Sequence, residues 1–97
     1  MYGTIARLQP KPGHEAELED YGRRVAELEV SGYRGSYLFT PDHNPYKVPT
    51  TFLIAIFDDQ ATYQANADSP EQNERYQEMR ALLDADPDWM DGTFVEG

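Results

Sequence analysis

The side chains of this chain that could do chemistry are one strand cation, one amide, one loop histidine and a set of aromatic rings. Arg7 falls inside Tyr2 to Gln9, a stretch that reads as a central strand. A charge there is costly unless it is paired. Arg7 therefore orients an acidic or phenolic ligand, or it is a structural cation that pairs with Asp91 or reaches water at the strand end. Tyr33, Tyr37 and Phe39 alternate along a second strand and so share a face, with Gly35 leaving room for a ring. Tyr63, Tyr76 and Trp89 come from the second half of the chain. Rings with a few phenolic hydroxyls suit a flat apolar ligand. They equally suit the core of a small aromatic-rich domain, and both readings stand. Asn66 lies where a short helix breaks, so its amide can donate to a ligand carbonyl or simply tolerate the backbone of a helix end.

His43 stands beside Asp42 in the loop 41–49, which contains three prolines. A histidine is the natural general base near neutrality, and a lid position over a pocket mouth would use it. His14 opens the first helix. Neither histidine has apolar neighbours in sequence, which equally fits ordinary surface residues. No His/Asp/Glu cluster has metal-ligand spacing, and His14 with Glu17 is one weak pair, so no metal is expected. There is no glycine-rich phosphate loop and no Gly-x-Ser-x-Gly, and nothing supports nucleotide binding or serine hydrolase chemistry.

Positioning these groups falls to a short chain. Its 97 residues are 39% hydrophobic and 12% aromatic, which suits one domain, 1–97. Absence of cysteine excludes disulfides and thiolate metal sites. The start, Met1-Tyr2-Gly3-Thr4, lacks the pattern of a secretion signal, and the cytoplasm is the expected compartment. No apolar run approaches the roughly 20 residues of a membrane span. The net charge of −10 is lopsided: residues 1–57 carry 6 basic and 7 acidic side chains, residues 58–97 carry 2 and 11. Such a surface repels phosphates and anionic lipids, so nucleic acid and membrane are not expected partners.

Element order follows from patterning. Tyr2 to Gln9 is a strand stopped by Pro10 and Pro12. A helix runs from Gly13 to about Val30, with Leu18, Tyr21, Val25 and Leu28 on one face. Tyr33 to Thr40 is the second strand. Asp58 or Asp59 caps a short helix through Tyr63 to about Asn66. Ser69-Pro70-Glu71-Gln72 starts another, with Ser as cap and Pro in the first turn. Its Tyr76, Met79, Leu82 and Leu83 point to a core. Asp86-Pro87 ends it, and Trp89 to Glu96 is the last strand.

Between them lies Thr51 to Phe57, apolar on both alternating faces, which needs cover above and below. The order βαββ(αα)β is an α+β, ferredoxin-like arrangement with an antiparallel four-stranded sheet and helices on one side. The bare side calls for a second copy, giving a homodimer built as a dimeric α/β barrel.

Four stretches carry a family resemblance: Ile5-Ala6-Arg7 leading to Lys11-Pro12-Gly13; Phe57-Asp58-Asp59 with Tyr63 behind it; Ala67-Asp68-Ser69-Pro70-Glu71; and Asp86-Pro87-Asp88-Trp89-Met90-Asp91-Gly92. With them the whole chain resembles the antibiotic biosynthesis monooxygenase-like group of dimeric α/β-barrel proteins. The resemblance implies a homodimer with a pocket in each subunit between sheet and helices. In some members that pocket oxidises aromatic polyketides without metal or flavin; in others it degrades haem. The cofactor-free oxygenases of the group use Asn, Trp and Tyr around the substrate, and Asn66, Trp89, Tyr63 and Tyr76 match by type. The haem branch relies on an asparagine in the first strand and a histidine on the later helix. Tyr2 to Gln9 has no asparagine and residues 58–86 no histidine, so haem degradation is not expected.

Two functions follow as expectations. One is a cofactor-independent monooxygenase for a small aromatic or polyketide-like substrate. Asn66, Arg7 and His43 would be its catalytic residues, and Tyr33, Tyr37, Tyr63, Tyr76 and Trp89 would line the substrate. The other is a non-catalytic module that binds a small apolar ligand or serves as a stress or pathway accessory.

Overall fold

Alternation along the first strand decides which way the sheet faces. In β1 (Tyr2–Leu8) Thr4, Ala6 and Leu8 are buried, while Arg7 is exposed between them. β3 (Thr51–Phe57) runs antiparallel beside it with Ala6 opposite Leu53 and Arg7 opposite Phe52. Thr51, Leu53, Ala55 and Phe57 thus share the covered face, and Phe52, Ile54 and Ile56 share the other. β2 (Tyr33–Phe39) pairs with β3, and β4 (Asp88–Thr93) pairs with β1, giving the order β2-β3-β1-β4, antiparallel throughout. This is the expected α+β, ferredoxin-like sheet, seen in a computed structural model that describes all 97 residues.

Three helices cover one face. α1 (Glu15–Ala26) buries Leu18 and Tyr21, and α3 (Pro70–Arg80) buries Met79. With Ala6, Leu8, Leu53 and Leu83 these residues make the core, and Val25, Leu38, Tyr76 and Leu82 pack against it. α2 (Gln60–Ala67) starts at Asp59, whose carboxylate accepts from Thr62 N at 2.8 Å. That backbone hydrogen bond, with one from the Thr62 hydroxyl, holds the Asp59 carboxyl below the usual range. Ser69 caps α3 through its hydroxyl and Pro70 occupies the first turn, as the sequence signature requires. No helix is long and apolar enough to cross a membrane.

Element boundaries and one side-chain direction differ from the sequence reading. α1 stops at Ala26, four residues before Val30, and the released segment turns Leu28 and Val30 against the cavity described below. Gly32, at φ +77°, completes that turn. β4 begins at Asp88 and ends at Thr93 because Thr93 already faces Tyr2, the first residue of β1. Phe94 N makes one more bond, to the Met1 carbonyl.

The third difference concerns side-chain direction. The register of β2 against β3 shifts between Tyr33 and Gly35, where Gly35 adopts φ +140°. One inserted residue reverses the alternation. Tyr33 therefore faces the helices, whereas Tyr37 and Phe39 face the opposite way and are 64% and 56% exposed. Tyr33 does not share a face with Tyr37 and Phe39. The helix-free face carries Tyr37, Phe39, Phe52, Ile54, Ile56 and Met90, an apolar surface in this chain.

Candidate functional site

Between the covered face of the sheet and the three helices lies a cavity of about 310 Å³, lined mostly by apolar side chains. Its floor is Thr4, Leu53, Ala55 and Phe57 from the two central strands. Tyr33 enters from the bulged start of β2, Tyr63 and Asn66 from α2, Tyr76 from α3 and Trp89 from β4. The rings brace each other: Tyr63 meets Phe57 edge-on at 5.6 Å, Tyr33 tilts against Phe57 at 5.4 Å, and Tyr76 lies 6.2 Å from Trp89.

Three phenols of this cavity, those of Tyr21, Tyr33 and Tyr63, are held protonated. Tyr63 Oη donates to Asp91 Oδ1 at 2.9 Å, and burial together with that bond pushes its pKa up to about 12. Burial pushes Tyr21, a further lining residue, up to about 12 as well. Tyr33 is also raised, chiefly by burial. Its hydroxyl donates to the Val25 carbonyl at 2.8 Å and lies 2.7 Å from Ser36 Oγ. At neutral pH these groups are therefore hydrogen-bond donors, and none of these three tyrosines is a resting base.

The polar end of the cavity sits at the junction of α2 and α3. Asn66 Nδ2 donates to Gln72 Oε1 at 3.3 Å, and both residues line the cavity. Arg75 locks the pair, its Nε donating to Gln72 Oε1 at 3.0 Å and its Nη2 to Asn66 Oδ1 at 3.1 Å. Ser69 Oγ donates to the Asn66 carbonyl at 2.8 Å, so the helix cap also fixes the break that carries the amide. An apolar slot with phenolic donors along it and a clamped amide at one end can hold a flat, carbonyl-bearing molecule and stabilise negative charge on its oxygen. No three His, Cys, Asp or Glu side chains converge anywhere in the chain.

The profile of the antibiotic biosynthesis monooxygenase family matches residues 1–81. The chain belongs to this family. Among solved structures, a conserved protein from Methanosarcina mazei is 16% identical with a TM-score of 0.78, over 94% of this chain and 89% of its own. SnoaB, a cofactor-independent oxygenase from Streptomyces nogalater solved as an asparagine-to-alanine mutant, is 18% identical with a TM-score of 0.77, over 99% and 94%. Both likenesses show the fold. No curated protein sequence matches.

Within this monooxygenase-family fold, five of the eight residues expected at a site converge: Tyr33, Tyr63, Asn66, Tyr76 and Trp89. The other three do not. Arg7 projects from the helix-free face, where it pairs with Asp88, its Nε 3.1 Å from Oδ2, and lies 4.7 Å from the centre of the Tyr46 ring. Its partner is Asp88 rather than Asp91, because the β1–β4 register sets Arg7 opposite Asp88 and turns Asp91 toward Tyr63. Tyr37 is exposed on that same face, and His43 is exposed in the loop 41–49 and does not line the cavity. Sequence reasoning also passed over Gln72, Tyr21 and Arg75. In the sequence Gln72 reads as part of a capping pattern and Tyr21 as part of an apolar stripe; Arg75 carries no signal beyond its charge.

Proposed function

We propose that this protein is a cofactor-independent monooxygenase of the antibiotic biosynthesis monooxygenase family. Its substrate is a small aromatic or polyketide-like molecule held in the cavity between sheet and helices. One observation carries the reading: Asn66, on the wall of an aromatic cavity, is clamped by Arg75 and Gln72 so that its amide is fixed before any ligand arrives. A substrate of the anthrone type loses a ring-methylene proton to solvent water and becomes an electron-rich enolate. That anion reduces dioxygen, and loss of water from the resulting peroxide leaves a quinone: one oxygen atom enters the product and the other leaves as water. The protein's share is to stabilise the enolate oxygen by N–H donation from Asn66 and to exclude water with the surrounding rings. Family membership and the make-up of the cavity support this assignment.

The protein works, on this reading, as a homodimer in which a second copy covers the apolar helix-free face. Exposed Tyr37, Phe39 and Met90 support that pairing. A cysteine-free chain is at home in the cytoplasm, where we place it. The non-catalytic alternative, a small-ligand-binding or accessory protein, is favoured by one fact: Arg7 and His43 lie away from the cavity and the Tyr21, Tyr33 and Tyr63 phenols keep their protons, so no resting base faces the ligand there. Oxygen uptake by the metal-free protein on a panel of hydroxylated anthrones and quinols separates the two. Enzyme-dependent consumption supports the monooxygenase; ligand binding without consumption supports the accessory.

A further inference from the structure

Arg75 differs from every other arginine of the chain. Arg7, Arg23, Arg24, Arg34 and Arg80 each pair with a carboxylate. Arg75 has none within 4.0 Å. Acids are not scarce around it, since residues 58–97 carry 11 of them and only 2 basic side chains. Glu71 even stands one turn earlier on α3, at the spacing that favours a helical ion pair. The guanidinium turns instead to the amide oxygens of Asn66 and Gln72.

Those two bonds use two of the five N–H groups of an arginine and leave three on Nη1 and Nη2. The side chain is half-buried, so its remaining donors stand in a partly desolvated place. Arg75 lines an outer hollow that shares Asn66, Leu28 and Val30 with the aromatic cavity. Its positive charge also acts on the phenols of Tyr21 and Tyr33 within that cavity. Glu29, Asp59 and Glu71 border the hollow as well, yet none has claimed the cation. An anion arriving there breaks no existing ion pair.

We propose that Arg75 is the anchor for an anionic ligand, and that the molecule the cavity takes is an aromatic carboxylate. Its rings lie among Tyr33, Tyr76 and Trp89, and its carboxylate meets the free edge of the guanidinium at the α2–α3 junction. An arginine–carboxylate pair of this kind is charge-assisted and directional, which a neutral amide of the same shape cannot reproduce. Against a chain of net charge −10, only a short-range contact can favour an anion, and Arg75 is the arginine not already committed to an acid. The assignment rests on the reading of the cavity as the ligand site.

Isothermal titration calorimetry at pH 7 with 2-naphthoate and 2-naphthamide tests it, since the two share a shape and differ in charge. The intact wild-type protein is expected to bind the acid about tenfold more tightly than the amide, the scale of one charged hydrogen-bonded contact. Arg75→Gln should bring the two within about twofold, and a far-UV circular dichroism spectrum and urea midpoint like those of the wild type show that the variant is folded. Arg75→Lys should retain part of the preference. Equal binding of both compounds by the wild type, or an undiminished preference in Arg75→Gln, overturns the anchor and leaves the cavity reading standing. Binding of neither compound overturns the cavity reading and the anchor with it.

Discussion

Tyr63 on α2 donates its phenolic proton to Asp91 on the edge strand β4 across 2.9 Å, tying a helix to the strand that closes one side of the cavity. Tyr63 is further wedged edge-on between Tyr2 at 5.4 Å and Phe57 at 5.6 Å. Removing the hydroxyl leaves the ring packing intact and isolates the bond. Tyr63→Phe is expected to cost about 1 kcal/mol of stability, measured as a lower urea midpoint at pH 7.

The same bond has a pH signature. Tyr21 and Tyr63 have folded-state pKa values raised to about 12, against about 10 for an unfolded tyrosine. Below about pH 10 both states hold these protons and the stabilisation is complete. Between about pH 10 and pH 12 the unfolded chain has released them and the folded chain has not, so stability falls as pH rises. Urea midpoints measured across that window should decline, and the decline should be shallower in Tyr63→Phe. A flat profile would contradict the placement of both phenols.

Arg7 and His43 lie outside the cavity, so Arg7→Gln and His43→Ala should leave ligand affinity and any turnover within about twofold of wild type. Asn66→Ala, by contrast, removes an oxyanion donor and should lower kcat on the order of 100-fold with the fold preserved. Steady-state oxygen consumption by the three variants checks this. A loss of activity in the Arg7 variant comparable with that of Asn66→Ala would mean that the chemistry belongs to the other face of the sheet.

That separation shows where alternation could be read along the sequence and where it failed. Ala6 and Leu8 flank Arg7, and a strict two-residue period already sends Arg7 away from them. The two-faced run Thr51 to Phe57, the proline stop after β1 and the Ser69-Pro70 helix start were each legible, because each depends only on neighbours in the chain. Counting from Tyr33 puts Tyr37 on the wrong face because it presumes an unbroken strand, although a glycine inside a strand is itself a sign of a bulge. The choice of Asp88 over Asp91 for Arg7 depends on strand register, which no local pattern encodes. The clamp of Arg75 on Asn66 and Gln72 joins residues up to nine positions apart through the angle between two helices, and single-sequence periodicity does not report such angles.

The helix-free face gives a further expectation. Ile54 lies at its centre on β3, opposite Ile5 on one side and Tyr37 on the other. Ile54→Glu places a charge in the proposed dimer interface and should raise the dimer dissociation constant at least tenfold, because an unpaired buried charge is strongly unfavourable. Sedimentation velocity over a dilution series measures it. Unchanged sedimentation of the variant as a dimer would place the interface elsewhere.

Mass spectrometry of the product formed under ¹⁸O₂ is the most direct test of the cavity as an oxygenase site. With metal-free wild-type protein and an anthrone substrate, the quinone is expected to carry a single ¹⁸O atom, and its enzyme-dependent yield should fall on the order of 100-fold in Asn66→Ala. Enzyme-dependent product without the label, or labelled product formed equally well by Asn66→Ala, would contradict it.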